Sequence, residues 1–124
     1  MTRTAREVVE TYNFVVWNER NFDLAHELFA ETVIRHEVGE AHTLTREQAV
    51  KRIQDVWALF GNMIFELPVV VAGQDNEHVA IVYDTTMTGK EGDVVHSGSM
   101  EIFRVIDGRI AEVWNCGRKE GRWD

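Results

Sequence analysis

Cysteine and proline are almost missing from this chain, with one of each in 124 residues. The lone thiol, Cys116, excludes an intrachain disulfide and any cysteine-based metal cluster. Its place at the end of an apolar run suggests a buried structural thiol. Basic residues are also short, 13 against 21 acidic ones, for a formal net charge of −8. Nucleic acids and anionic membranes both require a basic face, so neither is an expected partner. No apolar run approaches the ~20 residues that span a bilayer. The opening Met-Thr-Arg-Thr-Ala-Arg-Glu lacks the apolar centre of a signal peptide, and a cytoplasmic location is expected.

Chemistry-bearing motifs are sparse too. No Gly-rich phosphate or dinucleotide loop precedes a helix, and Ser97 and Ser99 lack the elbow context of a serine nucleophile. His36, His42, His78 and His96 are scattered without paired ligand spacing. No cofactor and no metal are therefore expected. Repeats, low-complexity stretches and Pro/Ser-rich linkers are lacking as well, which predicts one domain over residues 1–124.

What is present is periodicity. Thr4-Ala-Arg-Glu7 has capping-box spacing, and apolar residues recur at Ala5, Val8, Val9, Tyr12, Val15 and Val16, a helix ending near Asn18. Asn21 suits the cap of a short helix through Phe29. Thr32 to Val38 reads as a strand. Thr45-Arg-Glu-Gln48 opens a third helix with Ala49, Ile53, Val56, Trp57 and Phe60 inward, and Gly61 suits its C-terminal cap. From Met63 the period falls to two. Met63–Ala72, His78–Thr88, Val94–Ile106 and Arg109–Cys116 read as antiparallel strands, with Pro68 marking an edge or bulge. Helices first and a meander afterwards predict an α+β domain with helices on one face of a sheet.

The closing hairpin turns at Asp107-Gly108, a pair suited to positive φ at both central residues. Alternation puts Ser97, Ser99, Glu101, Phe103 and Val105 on one face and Met100, Ile102 and Arg104 on the other. The first face is mostly apolar, so Glu101 there must be paired, protonated or used. Asn115 is a second polar group on an otherwise buried strand. Together they predict a pocket. The opposite face, with Met100, Ile102 and Trp114, would leave an apolar patch on a monomer and predicts a homodimer.

Asn18-Glu-Arg-Asn-Phe-Asp-Leu-Ala-His-Glu-Leu-Phe29, Ile34-Arg-His-Glu-Val-Gly39 and Glu101-Ile-Phe-Arg-Val-Ile-Asp-Gly-Arg-Ile-Ala-Glu-Val-Trp114 resemble segments of the nuclear transport factor 2-like superfamily. That resemblance implies a cone: a strongly curved antiparallel sheet around a long N-terminal helix and two shorter ones. Against ketosteroid isomerases, His36 falls at the position of the aspartate base and Glu101 at that of the protonated aspartate that faces the substrate oxyanion, a device the general chemistry of tuned carboxyls already describes. Asn13 aligns with the oxyanion tyrosine, with Tyr12 beside it. Against SnoaL-type polyketide cyclases, Trp114 is kept, but Asn115 stands where an acid follows and Thr88-Gly89-Lys90 where a histidine follows a Gly-Thr pair. The Asp-Arg-Asp set of limonene-epoxide hydrolases has no counterpart.

The resemblance thus implies His36 as base, with Glu101 and Asn115 stabilising or orienting. Glu101 would act either ionised, orienting the imidazole, or protonated, as a donor. Tyr12, Trp17, Trp57, Phe60, Met63, Ser99, Phe103 and Val113 would line the cone around a small apolar organic ligand. Of the neighbours Tyr83 and Asp84, only one can face inward, and Asp84 is carried as a pocket acid. The expected activity is cofactor-independent proton transfer, of isomerase or cyclase type, on a small apolar carbonyl compound. The competing reading is a non-catalytic binding or dimeric accessory protein.

Overall fold

The computed structural model describes residues 2–124. Helix α1 (Ala5–Thr11) is opened by Thr4, whose hydroxyl accepts from the Glu7 amide while the Glu7 carboxylate accepts from the Thr4 amide, the full capping box. It continues without a break into a wider π-helical stretch, Tyr12–Trp17. There the Asn13 side chain donates to the Val9 carbonyl at 2.9 Å and competes for an acceptor of the helical ladder. The wider turn brings Tyr12, Asn13 and Trp17 to the same side, an arrangement that 3.6-residue spacing does not produce. Asn21 caps α2 (Phe22–Leu28) through Leu24. A second capping box, Thr45 with Gln48, opens α3 (Arg46–Trp57).

Seven strands form one open sheet: β1 (Phe29–Glu37), β2 (Glu40–Thr45), β3 (Asn62–Ala72), β4 (His78–Thr88), β5 (Val94–Ile106), β6 (Arg109–Asn115) and the short β7 (Lys119–Glu120). The order is β2-β1-β6-β5-β4-β3, with β7 on β5. The expected meander occupies β3 to β6. The sheet is nevertheless mixed, because β1 runs parallel to β6. Register shifts between Glu66 and Val69, between Arg104 and Val105, and between Phe29 and Ile34 bend it into a cone. The first of these spans Pro68 on an edge strand, where a residue without an amide proton costs no ladder bond. At the tip of the β5–β6 hairpin, Asp107 and Gly108 both take positive φ, 52° and 75°.

Helices pack on the inner face around Phe103, Leu28, Ile53, Met63 and Ile110, all fully buried. Tyr12 meets Phe29 and Phe103 edge-on, with ring centroids 5.4 and 5.8 Å apart. Gly61 does not cap α3. That helix closes at Ala58 in right-handed geometry, and the Gly61 amide instead bonds the Thr88 carbonyl at 2.8 Å. The residues after β6 fold back as β7, and the Trp123 indole donates to the Tyr83 carbonyl at 3.0 Å. Among the described residues no helix is long and apolar enough to cross a membrane.

Candidate functional site

Alternation on β5 makes a row of buried or half-buried polar groups on the inner face, Ser97, Ser99 and Glu101, before Phe103 and Val105 return to apolar core. Register sets Ile81 of β4 on one side of Glu101 and Asn115 of β6 on the other. Beside β6, Val33 of β1 is buried, so period two aims Arg35 inward as well. The Arg35 guanidinium lies 3.9 Å from the Glu101 carboxylate.

Arg35, Glu101 and Asn115 border a cavity of about 200 Å³, walled also by Tyr12, Asn13 and Trp17 of the π-helical stretch, Arg52 of α3, Phe65, Tyr83, Glu37, Gly117 and Arg118. The lining is more polar than the sequence suggests. Burial pushes the Tyr12 phenol above its ordinary value, against the pull of the Arg52 and Arg35 charges. Burial and the Glu101 charge do the same for Tyr83. Both phenols therefore keep their protons well above neutral pH and remain hydrogen-bond donors. Arg52 is held below its usual value by burial and then by repulsion from Arg35.

His36, Glu101 and Asn115 do not converge inside the cone. His36 is one residue out of phase with Arg35, so it faces the outer side of the sheet. Its Nε2 meets Glu112 at 2.5 Å, and its ring stacks on Trp114 with centroids 5.1 Å apart. It lines an outer recess of about 460 Å³ with Met100, Ile102 and Trp114, which borders Glu101 and Asn115 as well. Asn115 walls the inner cavity, but its side-chain oxygen accepts from the Gly117 amide at 2.5 Å and shapes the turn into the tail.

Of the expected lining, Tyr12 and Trp17 are in place. Trp57 is core, its indole donating to the Trp17 carbonyl at 3.0 Å and its face covered by Arg20. Met63, Phe103 and Val113 are fully buried in the core, and Phe60 packs against it from outside. Ser99 is buried beneath the cavity and donates to the Gly117 carbonyl at 2.6 Å. Tyr83, not Asp84, faces inward. Asp84 accepts from the Trp123 amide at 3.3 Å on the other side of β4. Cys116 is exposed rather than buried, because β6 ends one residue earlier.

Arg35, Glu37, Arg52, Phe65, Gly117 and Arg118 are cavity residues that sequence reasoning missed, and Tyr83 is the alternative it left open beside Asp84. Val33 held the signal for Arg35, since one apolar residue fixes the phase of the whole strand. Nothing local marks Arg118, which the tail carries to the cavity mouth.

A family model described as SnoaL-like polyketide cyclase matches residues 6–119. No curated protein matches significantly. Among solved structures, a presumed polyketide cyclase from Acidithiobacillus ferrooxidans is similar at 19% identity and TM-score 0.80, over 93% of this chain and 88% of that one. IdmH of Streptomyces antibioticus, also a presumed polyketide cyclase, is similar at 20% identity and TM-score 0.76, over 91% of each chain. A limonene-epoxide-hydrolase-like enzyme of Mycobacterium tuberculosis shares the fold at 14% identity and TM-score 0.75, over 94% of this chain and 81% of that one. A match over nearly the whole length, on a cone of this topology, assigns the chain to the SnoaL-like polyketide cyclase family of the nuclear transport factor 2-like superfamily.

Proposed function

We propose that the chain is a cofactor-independent proton-transfer enzyme acting on a small carbonyl compound in the inner cavity, with Glu101 as the acid/base. The observation that carries this reading is the position of Glu101: an ion-paired carboxylate, 3.9 Å from Arg35, at the wall of a cavity that also holds two phenol donors. In the proposed step Glu101 removes a proton from the carbon next to the carbonyl. The C–H electron pair forms a C=C bond to the carbonyl carbon as the carbonyl π pair moves onto oxygen, and the resulting enolate is stabilised by Tyr12, Tyr83 or a guanidinium. Where a β,γ double bond extends the enolate, Glu101 returns the proton to the γ-carbon, which is isomerisation. Alternatively the enolate carbon attacks a second carbonyl and the new alkoxide takes the proton, which is cyclisation. Asn115 acts as a positioning residue through the turn to Gly117.

The test is deuterium exchange. In D2O the protein should accelerate exchange at the central carbon of small β-dicarbonyl compounds, followed by NMR, and Glu101→Gln should abolish the acceleration. Undiminished exchange in that variant refutes the assignment.

One observation favours binding without chemistry: Asn115 stands where SnoaL-type cyclases carry an acid, and its oxygen is engaged in a turn. Ligand binding with no exchange on any such substrate would select that reading. We further infer a homodimer through the outer face, where Met100 and Ile102 stay 49% and 44% exposed beside Trp114.

A further inference from the structure

Three guanidiniums border the inner cavity, and two of them, Arg52 and Arg118, have no carboxylate partner among the described residues. Arg35 approaches Glu101 only to 3.9 Å. Arg118 meets the Met87 sulfur at 3.3 Å, a weak acceptor. Arg52 makes no ion pair or hydrogen bond among the described residues. Elsewhere Arg6 pairs with Glu10 and Arg104 with Glu77 and Glu112, while Arg20 and Arg46 donate to the backbone carbonyls of Gly61 and Phe29. Arg52 is half-buried without a partner, which is costly, and the nearby Arg35 and Arg118 charges add repulsion. An anion in the cavity removes both costs.

We propose that the ligand of this cavity is a small oxo acid, its carboxylate held by Arg52 with Arg35 and Arg118. The proposal rests on the reading of the cavity as the substrate site and names the class of substrate. Size supports it. About 200 Å³ is below the roughly 300–1,000 Å³ of pockets that hold drug-sized ligands, so the bound part is small. Charge supports it too. Three guanidiniums against Glu37 and Glu101 leave about one positive charge, which a monovalent carboxylate neutralises and a phosphate dianion would overshoot. The planar fork of arginine matches a carboxylate edge to edge. Because Arg35 is also the neighbour of Glu101, a carboxylate on the arginines puts the adjacent carbonyl and its α-carbon at the acid/base. Arg52 is the residue most committed to this role, since it lines the cavity without a partner and burial and Arg35 both weigh against its charge.

Acetoacetate and acetoacetamide are nearly isosteric and differ in charge, so they isolate the carboxylate. Binding is measured by NMR titration in the wild type and in Glu101→Gln, which separates binding from turnover. Acetoacetate should bind both proteins at least about tenfold tighter than the amide, the size of a charge-assisted fork. Arg52→Gln and Arg118→Gln should each erase that preference, while Arg104→Gln on the outer face should not. Unliganded Arg52→Gln should melt no lower than wild type, because it removes a half-buried unpaired charge. Equal binding of the amide, absence of acetoacetate binding, or a preference that survives Arg52→Gln overturns the proposal. Carboxylate-selective binding without deuterium exchange would uphold the ligand class while removing the proton-transfer reading.

Discussion

Each face of this sheet carries a patch out of character with the rest of it. Its inner face, beneath three helices, opens onto a cavity of arginine, glutamate, tyrosine and asparagine. Its outer face, which would be polar on a sheet with one solvated side, carries Met100, Ile102, Val69 and Val71, all between 44% and 57% exposed. Consecutive residues on a strand land on opposite sides: Glu101 inside and Ile102 outside, Arg35 inside and His36 outside, Asn115 inside and Trp114 outside. A polar cavity within the core and large apolar side chains left on the outer face each depart from what folding alone would select. Both patches are the working surfaces proposed above, one for a ligand and one for a second copy of the chain.

The largest expected difference between the faces is catalytic. Glu101→Gln should lower turnover by roughly 10²–10⁴-fold, as for loss of a general acid/base. His36→Ala, one face away, should leave kcat within a few-fold. The reverse ranking would move the chemistry to the outer recess.

Next in size is assembly. Ile102→Glu should convert a dimer to a species of the 14.3 kDa chain mass in sedimentation without unfolding it. A wild type that already sediments as a monomer at micromolar concentration removes the outer face from the account.

A smaller effect concerns the tail that brings Arg118 to the cavity. A Cβ on Gly98 would lie 2.8 Å from the Trp123 indole nitrogen and 3.0 Å from the Tyr83 carbonyl. Gly98→Ala should cost about 1–3 kcal/mol by overpacking and weaken ligand binding together with the tail. Trp123→Ala should weaken binding without that strain. Urea unfolding and titration separate the two.

The smallest is alkaline. Tyr12 has its folded pKa raised, so near pH 10 the unfolded chain loses this proton while the folded one keeps it. Stability should be level below about pH 10 and fall above it, and Tyr12→Phe should flatten that fall in unfolding measured against pH.

Much of the frame was legible in the sequence because its signals are local. Both capping boxes, the Asn21 cap and the Asp107-Gly108 turn depend on a few adjacent residues, and β4 and β5 have the residue bounds that alternation predicts. The inward position of Glu101 followed from the same alternation. Strand β2 was not legible, since Glu40-Ala-His-Thr-Leu-Thr45 is an exposed edge with little apolar patterning. The π-helical stretch was hidden because a side-chain bond from Asn13 sets it, not spacing. The outward position of His36 follows from the phase that buried Val33 fixes, a signal that the resemblance to the isomerase base does not carry. Arg52 and Arg118 reach the cavity only through tertiary packing, which no local pattern encodes.

The central claim, that the ligand site lies inside the cone, is tested most directly by following the two indoles that mark the faces. Trp17 walls the inner cavity and Trp114 the outer recess. On titration with acetoacetate, the account predicts a saturable shift of the Trp17 indole resonance together with the Asn115 side-chain amide, while Trp114 stays in place. A shift of Trp114 with Trp17 unmoved would contradict it.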